Sequence, residues 1–135
     1  MGNVRWMLVV LVMAGLATSQ LSAVSAFPAY RSQVVQQFKL TDARVGCTYC
    51  HVNASGGPSW NPFGQAVQSK LTGDIGATLL EVLSANQDAD GDGYNDALEV
   101  FAGTLPGSKD SAPLVKVNAL QLAFDKSGGV AQFKP

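Results

Sequence analysis

The chain has 135 residues, with 9 Lys and Arg against 10 Asp and Glu and a formal net charge of −1. A balance this close to neutral gives no footprint for nucleic acid or for an anionic membrane surface. Two cysteines and one histidine are the whole stock of zinc-type ligands, one short of a closed four-ligand zinc centre.

Residues 1–26 carry Arg5 in a short first region, an apolar run from Trp6 to about Ala17, and small residues at Val24-Ser25-Ala26. This pattern predicts a secretory signal peptide cut after Ala26, and a periplasmic or extracellular protein. The apolar run is shorter than the ~20 residues that span a bilayer, so no integral membrane segment is expected after cleavage. The mature chain then starts at Phe27, keeps 109 residues with a formal balance of −2, and suffices for one small domain.

Val34, Val35 and Phe38 recur at helical spacing and predict a first helix over about Arg31–Lys39. After the segment GCTYCH comes a loop, VNASGGPSWNP, dense in Gly, Pro, Ser and Asn. Asn61 is placed to cap a second helix with Pro62 at its first position, running to about Leu71. Ile75, Leu79, Leu80 and Leu83 mark a third helix, and a short fourth spans about Asn95–Ala102, stopping at Gly103 with Pro106 beyond. The tail is open to three readings: a strand, a helix around Val117–Phe124, or a partner-binding extension. With no strand alternation, the fold class is mostly α: a small single-domain protein with long loops. Its domain covers 27–112, and 113–135 form a C-terminal extension. So much irregular chain in a small α domain calls for something besides apolar side chains to fill its middle.

Cys47, Cys50 and His51 form C-x-x-C-H. That spacing lets two thiols reach the two vinyl groups on one edge of haem while the next imidazole becomes an axial ligand of the iron. The competing uses fit less well. A disulfide needs no adjacent histidine, and a thioredoxin-like dithiol wants a βαβ context that the pattern lacks. In CTYCH and its preceding helix the chain resembles monohaem c-type cytochromes. The resemblance implies haem c held covalently by Cys47 and Cys50, His51 as proximal ligand, and one-electron transfer with redox protein partners. The stretch HVNASGGPSWNPFGQAV is also similar to segments of small secreted bacterial haem proteins.

The opposite face of the iron is the open question. Met1, Met7 and Met13 all precede the cleavage point and no second histidine exists, so neither usual sixth ligand is available to the mature chain. Three readings stand: a five-coordinate or water-bound iron, a lysine such as Lys39 or Lys70, or the new α-amino group of Phe27. Deprotonating a terminal amine at pH 7 costs roughly 1–1.4 kcal/mol, against roughly 4.6 kcal/mol for a lysine. The start Phe27-Pro28, followed by a helix and C-x-x-C-H, resembles the haem-ligating N-terminus of cytochrome f, which implies iron ligation by the Phe27 amine. The large β domain of that protein has no room here.

The run DADGDGYNDALE, Asp88 to Glu99, fits D-x-D-x-D-G-x5-E along its length. In such a loop Asp88, Asp90 and Asp92 supply side-chain oxygens, Tyr94 its carbonyl, Asp96 a direct or water-bridged oxygen, and Glu99 both oxygens, around calcium. With its flanking helices the loop resembles an EF-hand, and with GTLPGSKDS it resembles the calcium loops of thrombospondin type 3-like and dockerin-like secreted repeats. Asn95 departs from the EF-hand pattern, standing where an aliphatic residue pairs with a second loop. A lone loop is expected to act as a structural brace, binding at ~10⁻⁴–10⁻³ M.

The leading expectation is thus a secreted electron carrier with one haem and one calcium. It is expected to be an electron carrier and not an enzyme; with no Ser-His-Asp set, phosphate-cradling loop or inward pair of catalytic carboxylates in the sequence, a hydrolase or transferase is not expected. Two alternatives come from other classes: a haem-based gas or ligand sensor with an open distal site, and a calcium-dependent assembly module that self-associates and uses haem as scaffold.

Overall fold

The computed structural model describes residues 26–135; the signal-peptide reading of 1–26 lies almost wholly outside them. Among the described residues the regular elements are all helical. Five α-helices run α1 Ala26–Gln37, α2 Pro62–Lys70, α3 Ile75–Ser84, α4 Asp96–Ala102 and α5 Val117–Lys126, with short 3-10 turns at Asp42–Arg44, Cys47–Tyr49, Lys109–Ser111 and Gly129–Phe133. The mostly α expectation holds. None of the described helices is long and apolar enough to cross a membrane.

Local chemistry sets most of the helix ends. Asn61, Asp74 and Asn95 each accept a backbone N–H with their side chain, capping α2, α3 and α4, and Pro62 opens α2. Gly103 closes α4 at φ 76, a left-handed conformation in which its carbonyl-seeking N–H meets Glu99 and Val100. The expected helix over Arg31–Lys39 is displaced: α1 begins at Ala26 and ends at Gln37, because Lys39 turns left-handed at φ 54 and Leu40 N–H bonds back to the Val35 carbonyl.

Helix α3 is the centre of the fold. It packs against α1, α2, α4 and the C-terminal 3-10 turn, contributing the buried Leu79, Val82 and Leu83. A run of aromatic contacts crosses the same core, from Phe63 to Tyr49, Phe38, Phe133 and Phe124, and on to Phe101, with successive ring centroids 5.4–6.1 Å apart. The segment after 113, whose conformation the sequence left open, is a helix and turn seated on this core. Leu120, Phe124 and Phe133 are buried in it, and Gln37 donates to the carbonyls of Phe133 (2.9 Å) and Gly76 (2.8 Å), sewing α1 to α3 and the tail. Leu114, Val115 and Leu122 remain on the outside.

Candidate haem-attachment cavity and acidic loop

Two groups of chemistry-bearing residues stand apart along the chain, one before α2 and one between α3 and α4. The first is built on the 3-10 turn Cys47–Tyr49. His51 N–H bonds to the Cys47 carbonyl at 2.8 Å, which curls the two cysteines and the imidazole into one compact turn. The chain then doubles back: Val52 N–H donates to Ser59, Asn61 N–H donates to Cys50, and the His51 and Trp60 rings stack at 4.2 Å and 28°. Asn61 locks this arrangement. Its Oδ1 accepts from Gly64 at the start of α2, while its Nδ2 donates to the carbonyls of Thr48 (2.9 Å) and Tyr49 (3.2 Å). Gly64 lies so close that a Cβ there would stand 1.9 Å from the Cys50 oxygen. The first turn of α2 is therefore pressed directly onto the cysteine turn.

Cys47, Cys50 and His51 open into one cavity of about 210 Å³. Tyr30, Arg31 and Val34 of α1, Val67 of α2, and Ile75 and Leu79 of α3 complete much of its wall, which is overwhelmingly apolar. The two sulfurs are not joined, and both residues are half-buried. Burial pushes the Cys50 thiol up to about 12, the reverse of the lowered value that a nucleophilic redox dithiol requires. The volume is below the roughly 300–1,000 Å³ of pockets that enclose a whole drug-sized ligand, and the half-exposed Tyr30 stands at its edge. Such a cavity fits the apolar edge of a planar macrocycle between the cysteines and α1, and not an enclosed one.

The proposed sixth ligands separate here. Neither Lys39 nor Lys70 lines the cavity; Lys39 is exposed and Lys70 pairs with Glu81. Phe27 belongs to the first turn of α1, three residues before the cavity-lining Tyr30. Trp60, Asn61 and Gly64, which hold the cysteine turn in shape, went unassigned to the site from sequence, although Asn61-Pro62 signalled the cap of α2.

The second group is the acidic loop, between α3 and α4. The ligand-bearing oxygens of Asp88, Asp90 and Asp92 lie within 4.8 Å of one another. Each also accepts loop N–H groups: Asp88 from Gly91, Asp92 and Gly93, Asp90 from Asp92, and Asp92 from Tyr94. Gly91 and Gly93, at φ 76 and 100, provide the left-handed turns this wrapping needs. Asp96 and Glu99 come from α4 and stand outside the 4.8 Å group, yet both feel the charge of all three aspartates. Asn95 is the N-cap of α4, accepting from Leu98 and donating to Asn86; this local duty accounts for a polar residue where paired loops carry an aliphatic one. The Tyr94 hydroxyl donates to Val115 and fastens the tail to the loop.

One feature separates this loop from a solvated acidic turn. Glu99 is 0% and Asp96 1% exposed. Both Glu99 oxygens and one oxygen each of Asp90, Asp92 and Asp96 are buried without a hydrogen-bond partner among the described residues. Burial first, and the neighbouring aspartates after it, raise Glu99 to about 9. Burial likewise lifts Asp96 to about 7, against the opposing bond from Ala89 N–H. Orphaned carboxylate oxygens are rare in folded interiors; a hard divalent cation is the group that satisfies several at once.

Comparison with protein-family models, with curated proteins and with solved structures finds no match for this chain.

Proposed function

We propose that this protein is a secreted monohaem c-type cytochrome that carries single electrons between redox proteins and is braced by one calcium ion. The observation that carries the reading is that both cysteines and the only histidine open together into one apolar cavity walled by α1, α2 and α3. When bound there, haem c supplies the one-electron couple of its iron. The chain's own part is to hold and shield it. Cys47 and Cys50 anchor it covalently, His51 is presented as proximal ligand with its ring stacked on Trp60, and Val34, Val67 and Leu79 keep water from the buried side. Low dielectric around the group and the identity of its axial ligands set the potential.

On the distal side, the Phe27 amine is the ligand this reading favours once cleavage has occurred after Ala26. It would head the helix whose next turn borders the cavity, and among the described residues lining that cavity there is no methionine, lysine or second histidine. Asp88, Asp90, Asp92, Asp96, Glu99 and the Tyr94 carbonyl are the proposed calcium ligands, with the buried, partnerless oxygens of Glu99 as the supporting observation.

The test is the exported protein itself. Mass spectrometry is expected to find an N-terminus at Phe27 and one covalently added haem; optical and EPR spectra are expected to show low-spin iron. Spectra of five-coordinate iron that bind carbon monoxide without losing a protein ligand would replace the electron carrier with a ligand sensor. A chain recovered from the periplasm of a host with haem-attachment machinery and carrying no haem would refute the reading outright.

A further inference from the structure

Residues 52–59 form a mostly exposed loop whose two ends are clipped together. Val52 N–H donates to the Ser59 carbonyl at 2.9 Å, Asn61 N–H donates to the Cys50 carbonyl at 3.0 Å, and between these bonds His51 and Trp60 face each other as an isolated antiparallel pair. Past the loop, the Gln65 side-chain amide donates to the Trp60 carbonyl at 3.1 Å, and the Asn61 side chain ties the same stretch to Thr48 and Tyr49. The backbone on both sides of Trp60 is therefore held, and its indole is delivered onto one face of the imidazole, with ring centroids 4.2 Å apart and planes at 28°. Both residues line the cavity, His51 buried and Trp60 half-buried.

A histidine ring turns about its Cβ–Cγ bond in a broad well, so C-x-x-C-H by itself does not set the plane in which the imidazole is presented. An indole lying along its face does, because rotation would part the two rings. The stacking of an aromatic pair, beyond the area it buries, favours the paired arrangement by roughly 2- to 13-fold. We propose that Trp60 is a positioning residue for the proximal imidazole: it touches His51 and fixes the plane in which that ring meets the iron. The inference rests on the haem reading above and deepens it by adding a residue to that site. It has a clean spectroscopic consequence. His51 is the only histidine of the chain, and Met1, Met7 and Met13 all precede Phe27. A terminal amine or a water on the other face has no ring plane, so the orientation of His51 alone sets the asymmetry that the haem experiences.

The experiment uses the mature, haem-loaded protein. Trp6 also precedes Phe27, which leaves Trp60 as the sole tryptophan of the mature chain, and growth on 5-fluorotryptophan labels that one side chain. Its single fluorine resonance is expected to move between the ferric and ferrous forms, since the unpaired spin of ferric iron displaces nuclei near it. Proton NMR of the ferric protein reads the spread of the haem-methyl shifts, which follows the plane of the axial imidazole. That spread is expected to shrink by about a third or more in Trp60→Leu, where the ring is released, and to return most of the way to the parent's in Trp60→Phe, which keeps an aromatic face. A fluorine resonance that does not move on reduction overturns the inference and leaves the haem reading standing. So does a Leu variant with the parent's spread, or a Phe variant that matches the Leu variant. A parent that carries no haem brings down the reading and the inference together. Should Trp60→Leu fail to load haem, the fluorine resonance of the parent still decides.

Discussion

Glu99→Gln separates a cation site from an acidic turn by how far calcium shifts the stability of parent and variant. Glu99 is fully buried, and its folded-state value of about 9 stands above the ordinary 4.5. A carboxyl raised on folding binds more protons in the native than in the unfolded chain. Its contribution to stability is therefore fully present below pH 4.5 and is lost as pH rises towards about 9, at about 1.36 kcal/mol per pH unit. At pH 7 without calcium that loss is of order 3 kcal/mol, and an uncharged glutamine of the same shape relieves most of it. In chelator the variant should therefore melt higher than the parent. Calcium closes most of that gap. At a hundred times its dissociation constant the ion stabilises the parent by about 2.7 kcal/mol, roughly 10–20 °C in Tm for a domain of this size. Glutamine gives up the charge and the two-oxygen grip and should lose most of that gain. Differential scanning calorimetry of both proteins, in calcium and in chelator, reads all four values. If calcium raises Tm equally in parent and variant, or in neither, Glu99 is not a ligand and the argument from its orphaned oxygens fails.

Three further outcomes follow from the packing. Asn61→Ala removes the cap of α2 and the two bonds to the Thr48 and Tyr49 carbonyls together; denaturant unfolding should show a loss of about 2–4 kcal/mol, whereas Gln65→Ala, on the exposed side of the same helix, should stay within about 0.5 kcal/mol. Gly64→Ala puts a Cβ against the Cys50 oxygen; the backbone must part by more than an atom can yield, at about 1–3 kcal/mol or more, and the yield of covalently haem-loaded protein should fall while full loading would refute the close approach. Phe133→Ala opens a cavity against Phe38 and Phe124 and should cost about 3–5 kcal/mol in thermal or denaturant melts; a neutral result would mean that the tail does not belong to the core in solution.

Sequence by itself was enough for what short-range chemistry determines. Asn61-Pro62, Asn95 and Gly103 announced the ends of α2 and α4, since a cap is satisfied within a few residues of itself. The spacing of Cys47, Cys50 and His51, and of Asp88 to Glu99, marked two candidate ligand sets, because each set is local along the chain. The start of α1 was misjudged: Ala26 to Tyr30 have little apolar periodicity of their own, and the helix extends there because the residues after it are held against α3. The tail stayed undecided for the same reason. Leu120 and Phe124 stand four apart, and a helix around Val117–Phe124 was one of three readings; docking beside Phe101, Phe38 and Phe133 is what selects it.

Tertiary structure alone decided how the two ligand sets relate. Burial of Glu99 and Asp96 belongs to the packed fold, and with that burial a string of acids acquires oxygens that no hydrogen bond in the described chain satisfies. The Tyr in CTYCH is an arbitrary spacer in the motif; in the fold its ring packs on Phe38 and Phe63 in the core that also takes Leu98 and Val100 from α4. Residues 50 apart in sequence share one low-dielectric interior, and no local pattern encodes that neighbourhood.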